Sequence, residues 1–288
     1  MYPGAFEYHR PASLDEAVSL LGRFGDEGRI VAGGHSLIPM MKLRLAEPAH
    51  LIDLRDIEAL KGISVDGATI VIGAMTTQHD IVGSDALARA CPILRETAML
   101  IADPQVRYCG TIGGNVANGD PGNDMPAVMQ CLDAAYVVRG ANGERAIAAR
   151  GFYEAAYFAA LEEGEVLTAI KIPAPSVGHG FAYEKLKRKV GDYATAAVAV
   201  VLTLEGGTCA AAAVALTNVG QTPLHVPAAG DALVGTTLDD AAIGAAVAAA
   251  QAVAEPVDDM RGPVDYRRHV TGVMLRRAIA RARDRAAA

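Results

Sequence analysis

The sequence predicts an α+β protein made of two domains, and three observations support this prediction. Short helix and strand patterns alternate as far as Pro173. Beyond Gly178, three long strand-like runs come first and two helical runs follow, an order typical of an antiparallel sheet with flanking helices. The length of 288 residues is enough for two domains of ordinary size. We therefore place the first domain at residues 1–176 and the second at residues 177–288.

An amphipathic helix is predicted to open the first domain. Ser13 and Glu16 have the spacing of a capping box, residues 14–21 follow a helical period, and the glycines within 22–28 end the pattern. The elements predicted next are a strand at 29–32, a turn at 33–36, a helix at 37–45, a strand at 49–54 and a hairpin at 63–72 that turns at Asp66-Gly67.

Helices and strands continue to alternate in the rest of the chain. The remaining elements of the first domain are helices at 77–90 and 92–101, a turn-rich stretch at 110–124, a helix at 125–132, a hairpin joining 135–139 to 144–148, and a strand at 164–173. The second domain is predicted to hold strands at 181–187, 195–204 and 208–216, followed by helices at 238–253 and 264–286. We expect these helices to cover one face of the sheet.

Composition and charge exclude several classes of protein. The net charge of −7 argues against a general nucleic-acid binder. The longest apolar runs, such as residues 209–216, are about eight residues, against the roughly 20 needed to span a bilayer. The first residues lack a secretory pattern, so we expect a cytoplasmic protein. The four cysteines and seven histidines show no metal-ligand spacing, which predicts free thiols and no metal site.

Two glycine-rich segments carry the chemistry of the first domain. The first glycine segment is Ala32-Gly33-Gly34-His35-Ser36, between a predicted strand and the helix that begins at Leu37. The second glycine segment is Gly110-Thr111-Ile112-Gly113-Gly114-Asn115, which also leads toward a helix. Glycines at such positions let several backbone N–H groups point into one concavity that binds anions. One such segment alone is also compatible with a tight turn without a ligand, but two of them favour a pyrophosphate.

Absent motifs and two further residues indicate which type of cofactor binds. Neither a Walker A motif nor a G-x-G-x-x-G motif occurs, which argues against ATP and against a dinucleotide-binding fold of the Rossmann type. Asp124 is suited to accept hydrogen bonds from ribose hydroxyls, or alternatively to act as a cap or turn carboxylate before the helix at 125–132. Tyr193 lies in a polar turn of an aromatic-poor chain and is suited to stack on a flat cofactor. No nucleophile with a base partner is evident, so no catalytic residue is predicted.

These motifs, in this order, resemble the FAD-binding subunits of the molybdenum hydroxylases, the xanthine dehydrogenase group. The resemblance covers essentially the whole chain. Residues 37–42, 101–107 and 184–189 resemble the carbon monoxide dehydrogenase branch of that group. The implied fold is the two-loop FAD-binding fold of the PCMH type, with two α/β subdomains, followed by a domain with an antiparallel sheet and flanking helices.

The resemblance also implies roles for individual residues. Backbone N–H groups of both glycine segments, next to Leu37, would hold the pyrophosphate of a non-covalently bound FAD. The other cofactor contacts implied are Asp124 at the ribose, Ile101 and Ala102 along the cofactor, Leu161 near the adenine, Lys185 at the polar edge of the isoalloxazine and Tyr193 over a ring face. Lys187 competes with Lys185 for the role at the isoalloxazine because it lies two residues further along the same strand.

The family works as part of an assembly. The resemblance implies a large subunit with the molybdenum cofactor and a small subunit with [2Fe–2S] clusters, combined in a dimer of heterotrimers. This chain would take electrons onto FAD and pass them to a quinone or a cytochrome, and a peripheral membrane association through that acceptor stays open. The chain lacks the cysteine-bearing insertion of some relatives, so FAD is expected to be its one redox centre.

Two alternative functions stay open at this point. A self-contained flavin oxidase of the related two-loop fold would explain His35, because a histidine after a Gly-Gly pair can be tied covalently to the flavin. A flavoprotein subunit of an N-heterocycle or aldehyde hydroxylase would carry similar motifs.

Overall fold

The computed structural model describes residues 2–286. Its strands are β1 (Glu7–His9), β2 (Gly28–Val31), β3 (His50–Asp53), β4 (Ile63–Asp66), β5 (Thr69–Gly73), β6 (Ala135–Gly140), β7 (Gly143–Ala148), β8 (Tyr153–Ala155), β9 (Phe158–Ala159), β10 (Val166–Pro173), β11 (Gly180–Leu186), β12 (Ala196–Glu205), β13 (Thr208–Thr217) and β14 (Leu224–His225). Its α-helices are α1 (Leu14–Phe24), α2 (Leu37–Lys42), α3 (Gln78–Gly83), α4 (Asp85–Ala90), α5 (Pro92–Leu100), α6 (Pro104–Cys109), α7 (Ile112–Ala117), α8 (Asp124–Cys131), α9 (Pro227–Asp231), α10 (Asp240–Val253) and α11 (Val264–Ala286).

The N-terminal part is a small parallel sheet in the order β1-β3-β2, packed against α1. The Ser13 hydroxyl caps α1 by accepting the N–H of Glu16 at 3.2 Å. The Glu16 carboxylate accepts the N–H of Ala12 at 2.8 Å, one residue before the partner that a capping box has. Buried Leu21 of α1 and Ile52 of β3 belong to the same core cluster, so the amphipathic pattern predicted the buried face of the helix correctly.

The rest of the first domain contains an antiparallel sheet in the order β4-β5-β10-β6-β7, a two-stranded sheet of β8 and β9, and the helices α3 to α8. The predicted hairpin at Asp66-Gly67 joins β4 to β5 and is confirmed. The single helix predicted at 77–90 is wrong, because the chain turns at Ser84, whose hydroxyl caps α4 by accepting the N–H of Leu87. The helix α7 occupies residues within the predicted turn-rich stretch at 110–124, and α6 occupies residues for which no element was predicted.

The second domain is an antiparallel sheet in the order β11-β12-β13-β14. The helices α10 and α11 pack on one face of this sheet. These two helices therefore cover one face of the sheet, as expected, and α8 of the first domain covers the other face by packing against β12 and β13. The Cys131 thiol at the end of α8 lies 3.2 Å from the carbonyl oxygen of Ala213. A sheet covered on both faces explains why β12 is a continuous apolar run rather than an alternating one.

No helix within residues 2–286 combines the length and the hydropathy that a membrane crossing requires.

A buried arginine fastens α11 to the sheet. The Arg267 side chain is 2% exposed and forms an ion pair with Asp259 at 3.2 Å. Its guanidinium donates to the carbonyl oxygens of Thr195 at 3.1 Å, of Val257 at 2.8 Å and of Asn218. Burial lowers its pKa, but an arginine stays charged at any ordinary pH. One side chain therefore donates hydrogen bonds to three carbonyl groups and ties three separate segments of the second domain to α11.

We predict that Arg267→Met lowers the free energy of unfolding by about 3–5 kcal/mol, the usual cost of breaking a buried polar network by removing one partner. Urea denaturation followed by circular dichroism measures this change. The matched control is Arg276→Met on the same helix, where the arginine side chain is 51% exposed and should contribute less than about 0.5 kcal/mol. Equal effects of the two substitutions would contradict the prediction.

Candidate functional site

A cavity of about 960 Å³ lies where the first domain meets the end of β11 and the turn that follows it. The predicted cofactor residues that line it are Ala32, Gly33, Gly34, His35, Ser36, Leu37, Ile101, Ala102, Gly110, Thr111, Gly114, Asn115, Asp124, Leu161, Lys185 and Tyr193. Of the predicted cofactor residues, Gly113 alone does not line the cavity. The fold therefore gathers into one cavity residues that the sequence spreads over more than half of the chain.

The first glycine segment forms an open cradle of backbone donors. Gly34 has a φ of +72°, which a residue with a side chain rarely adopts. A ring nitrogen of His35 lies 2.7 Å from the carbonyl oxygen of Gly33 and closes the turn. Within residues 2–286, the N–H groups from Gly33 to Ser36 have no hydrogen-bond acceptor. Four free donors in consecutive residues make a site for an anion such as a pyrophosphate.

The second glycine segment differs from the prediction. Thr111 caps the short helix α7, and the backbone N–H groups that follow it are all used inside the chain. The bonds run from Ile112 to the oxygen of Thr76, from Gly113 to the oxygen of Ala74, from Gly114 to the hydroxyl of Thr111 and from Asn115 to the oxygen of Thr111. The prediction that the N–H groups of residues 112–115 form a second anion cradle is therefore wrong in this structure.

Gly113 of the second segment serves close packing instead. A Cβ on Gly113 would lie 2.6 Å from the carbonyl oxygen of Ala74, and Gly113 faces the sheet rather than the cavity. Asn115 turns its side-chain oxygen to the N–H of Met125 at 3.2 Å. The amide nitrogen of Asn115 makes no hydrogen bond inside the described chain, so it is available to a ligand.

The two glycine segments touch at Gly33. A Cβ there would lie 2.3 Å from the carbonyl oxygen of Cys109 and 2.7 Å from the Cα of Gly110. Backbone cannot yield to such an overlap as the end of a flexible side chain can. The contact therefore requires glycine and sets the spacing of the two cavity walls.

A buried ion pair forms another wall of the cavity. The Lys185 ammonium lies 2.8 Å from the Asp124 carboxylate, with side chains 1% and 6% exposed. The Tyr183 hydroxyl donates to the other carboxylate oxygen at 2.6 Å. Burial raises the pKa of Asp124, while Lys185 and the Tyr183 hydroxyl oppose that rise. Asp124 is the first residue of α8 and Asn123 is its N-cap residue, so the alternative reading of Asp124 as a cap is wrong.

Of the two lysines that the sequence offered for the isoalloxazine, only Lys185 lines the cavity. Strand β11 ends at Leu186, so Lys187 lies beyond it and does not line the cavity. Burial and the neighbouring Lys185 charge lower the pKa of Lys187. Lys185 is thus the ammonium group at the cavity wall.

Ala102 and Gly191 bring two turns of the cavity wall together. Ala102 has a φ of +43°, a strained value for a residue with a side chain. The Arg107 guanidinium donates to the carbonyl oxygen of Ile101 at 2.8 Å and helps to hold this turn in place. A Cβ on Gly191, which has a φ of +84°, would lie 3.5 Å from the backbone of Ala102.

Tyr193 lies at the rim of the same cavity. Its ring lies against Gly122, where a Cβ would be 2.8 Å from the ring. The Arg261 guanidinium lies 5.7 Å from the ring centroid. The residue is 41% exposed. A ring held in this way has a face to offer to a flat ligand.

Sequence reasoning missed several residues of the site. Tyr183 is two residues before Lys185 on β11, and this period-2 spacing was the signal that both side chains share a face. Gln78 lines the cavity, and both of its polar side-chain atoms are buried without a hydrogen-bond partner among the residues that the structure describes. Tyr157 and Phe158 are exposed at the cavity, and no sequence motif marks them.

Comparisons with known proteins agree with this geometry. Residues 4–175 match the family described as the FAD binding domain in molybdopterin dehydrogenase. The chain belongs to this family. Residues 181–282 match the CO dehydrogenase flavoprotein C-terminal domain. The division predicted between residues 176 and 177 lies between the two matches and stays a prediction.

Whole proteins match over their full length. The carbon monoxide dehydrogenase medium chain of Afipia carboxidovorans is 62% identical over 99% of both chains. That of Hydrogenophaga pseudoflava is 49% identical over 97% of both. A chain in the crystal structure of a Cu,Mo-CO dehydrogenase superposes with a TM-score of 0.98 at 62% identity, covering 99% of this chain and 100% of that one. The predicted α+β fold, the family and the oxidoreductase class are confirmed.

The cavity suits the cofactor of this family. Free N–H groups at the first glycine segment suit a pyrophosphate, and the volume of about 960 Å³ is at the upper end for small-molecule sites. The unpartnered Gln78 amide adds hydrogen-bonding capacity at the wall. FAD, a long molecule with two phosphates and two flat ring systems, fits this combination.

We predict that Gly33→Ala weakens FAD binding at least tenfold, because the added methyl group overlaps backbone of the second glycine segment. Titration of the FAD-free protein with FAD, followed by flavin fluorescence, measures the affinity. The matched control is Gly22→Ala in α1, where nothing lies within 4 Å of the added carbon and the affinity should not change. An unchanged affinity in Gly33→Ala would show that the close contact does not shape the site.

Proposed function

We propose that this chain is the FAD-binding electron-transfer subunit of an aerobic carbon monoxide dehydrogenase. It takes electrons from [2Fe–2S] clusters of a small subunit and passes them to an external acceptor such as a quinone or a cytochrome. The observation that carries the proposal is the 62% identity over 99% of the chain with a carbon monoxide dehydrogenase medium chain. A large subunit with the molybdenum cofactor would complete the enzyme, in a cytoplasmic dimer of heterotrimers.

The donor set of the cavity supports a cofactor-holding role. One end offers backbone N–H groups and the other a buried ammonium group, and both suit the binding of an anionic group. The cysteines are spread over buried positions (Cys91, Cys131 and Cys209) and one exposed position (Cys109). The chain's own chemistry is therefore binding and positioning, and the iron–sulfur clusters belong to the partner.

Different residues bind different parts of FAD. The first glycine segment and Leu37 hold the pyrophosphate through N–H groups, and the side chains of Thr111 and Asn115 supplement them. Bound FAD supplies a redox group that takes up and releases electrons. Asp124 and Tyr183 hold the Lys185 ammonium in one place, where a positive charge beside the isoalloxazine stabilises the reduced cofactor.

Further residues shape the walls around the cofactor. Ile101 and Ala102 lie along it, Leu161 packs near the adenine, and Tyr193 covers a ring face. Asp124 lines the cavity beside its ion pair. Its two oxygens already accept from Lys185 and Tyr183, and a carboxylate has enough lone pairs to accept a further hydrogen bond from a ribose hydroxyl.

The test is to co-express the chain with its large and small partner subunits and to assay the purified complex. The proposal predicts molybdenum, iron and FAD in the complex and dye reduction that depends on carbon monoxide. Reduction by an N-heterocycle or an aldehyde, with none by carbon monoxide, would contradict the substrate and keep the electron-transfer role. A yellow protein that oxidises a substrate without partner subunits would contradict the electron-transfer role. Flavin that stays with the acid-precipitated protein would show a covalent bond to His35 and would also contradict that role.

We predict that substitutions of Lys185 and Asp124 shift the midpoint potential of FAD in opposite directions. Lys185→Gln should lower the FAD midpoint potential by about 30 mV or more, since a two-electron shift of 30 mV corresponds to about 1.4 kcal/mol. Asp124→Asn removes a negative charge from the same site and should raise the potential. Spectrophotometric redox titration of the complex measures both values.

The control for this experiment is Lys189→Gln, an exposed lysine four residues away, which should leave the potential unchanged. Shifts of the same sign in Lys185→Gln and Asp124→Asn would contradict the placement of the ammonium group beside the cofactor.

A further inference from the structure

Three side chains with metal-binding atoms meet at one edge of the N-terminal sheet. Glu7 and His9 lie on β1, and His50 lies on β3. The parallel pairing sets Glu7 opposite His50. Because alternate residues of a strand share a face, His9 is on the same side as Glu7. The register of two strands thus gathers a cluster that the spacing of the histidines in the sequence does not reveal.

The distances within this cluster suit a single metal ion. His9 Nε2 lies 3.1 Å from His50 Nδ1. A carboxylate oxygen of Glu7 lies 3.5 Å from His50 Nδ1 and 3.9 Å from His9 Nε2. Zinc binds imidazole nitrogens at about 2.0–2.1 Å, so tetrahedral ligand atoms are roughly 3.3 Å apart. Movements of a few tenths of an ångström would bring all three atoms to one ion.

The two imidazole rings pack against an aromatic ring, while the Glu7 carboxylate is exposed to solvent. The Phe24 ring at the end of α1 stacks on His50 at 3.7 Å with an angle of 11° between the planes. Its centroid is also 4.9 Å from that of His9. The side chains of His50 and His9 are 16% and 23% exposed, whereas Glu7 is 73% exposed. Two packed imidazole rings and an exposed carboxylate on the solvent side leave an entry path and room for water.

We propose that Glu7, His9 and His50 bind a divalent transition-metal ion of the zinc or copper type. Two imidazoles and one carboxylate are ligands that such ions prefer, whereas calcium and magnesium prefer oxygen alone. The site joins β1 to β3 and is separate from the FAD cavity, since none of the three residues lines that cavity. An ion bound there stabilises the N-terminal sheet, because it binds the folded chain and not the unfolded one.

The test uses the full chain, stripped with EDTA and titrated with zinc chloride in competition with a chromophoric chelator. We expect one zinc per chain, and cobalt(II) in its place should give a visible absorption spectrum with nitrogen ligation. His9→Ala and His50→Ala should each weaken zinc binding at least tenfold, and Glu7→Gln less. Zinc should raise the Tm of the wild type and leave that of the double variant His9→Ala/His50→Ala unchanged.

Two matched controls separate this cluster from other ligands. His269→Ala removes an exposed histidine elsewhere, and Cys109→Ser removes the exposed thiol, and neither should change the affinity. Retained FAD binding shows that each variant is folded, since the cluster is outside the cavity. Absence of stoichiometric zinc in the wild type, or wild-type affinity in the double variant, would overturn the proposal.

Discussion

The buried pair of Lys185 and Asp124 is the interaction on which the site depends. It joins β11 of the second domain to α8 of the first at the cavity wall. Neither charge is stable in such a place alone, because burying an unpaired charge costs several kcal/mol. The Tyr183 hydroxyl satisfies the second carboxylate oxygen and completes the arrangement. The domains must therefore pack in one relative position, and that position defines the cavity.

Packing around the pair keeps this position fixed. Strand β12 packs against both α8 and α11, and β13 packs against both α8 and α9. The core of this sheet is rich in alanine and valine, which lets the helices approach closely. At the far end of the cavity, the contact between Gly33 and Gly110 sets the distance between the two glycine segments. One wall offers neutral N–H donors and the other a paired ammonium group, so the cavity is prepared for a long anionic cofactor before it binds.

Local signals in the sequence predicted local structure well. The cap at Ser13, the turn at Asp66-Gly67 and the open cradle of the first glycine segment follow from a few neighbouring residues. The second glycine segment was misjudged, because glycine is needed both where N–H groups face a ligand and where backbones touch. Only the position of Ala74 in space decides between these two reasons for Gly113.

The contacts between residues far apart in the chain could not be predicted from the sequence, for a different reason. Asp124 and Lys185 are 61 residues apart, and His9 and His50 are 41 apart. The pairing of β1 with β3 brings the two histidines together, whereas the packing of α8 against the second domain brings Asp124 to Lys185. The most direct test of the central claim is to remove FAD from the assembled complex and to add it back. The account predicts that carbon monoxide still bleaches the iron–sulfur absorbance without FAD, while reduction of the external acceptor stops and returns with added FAD. Acceptor reduction at an unchanged rate without FAD would contradict it.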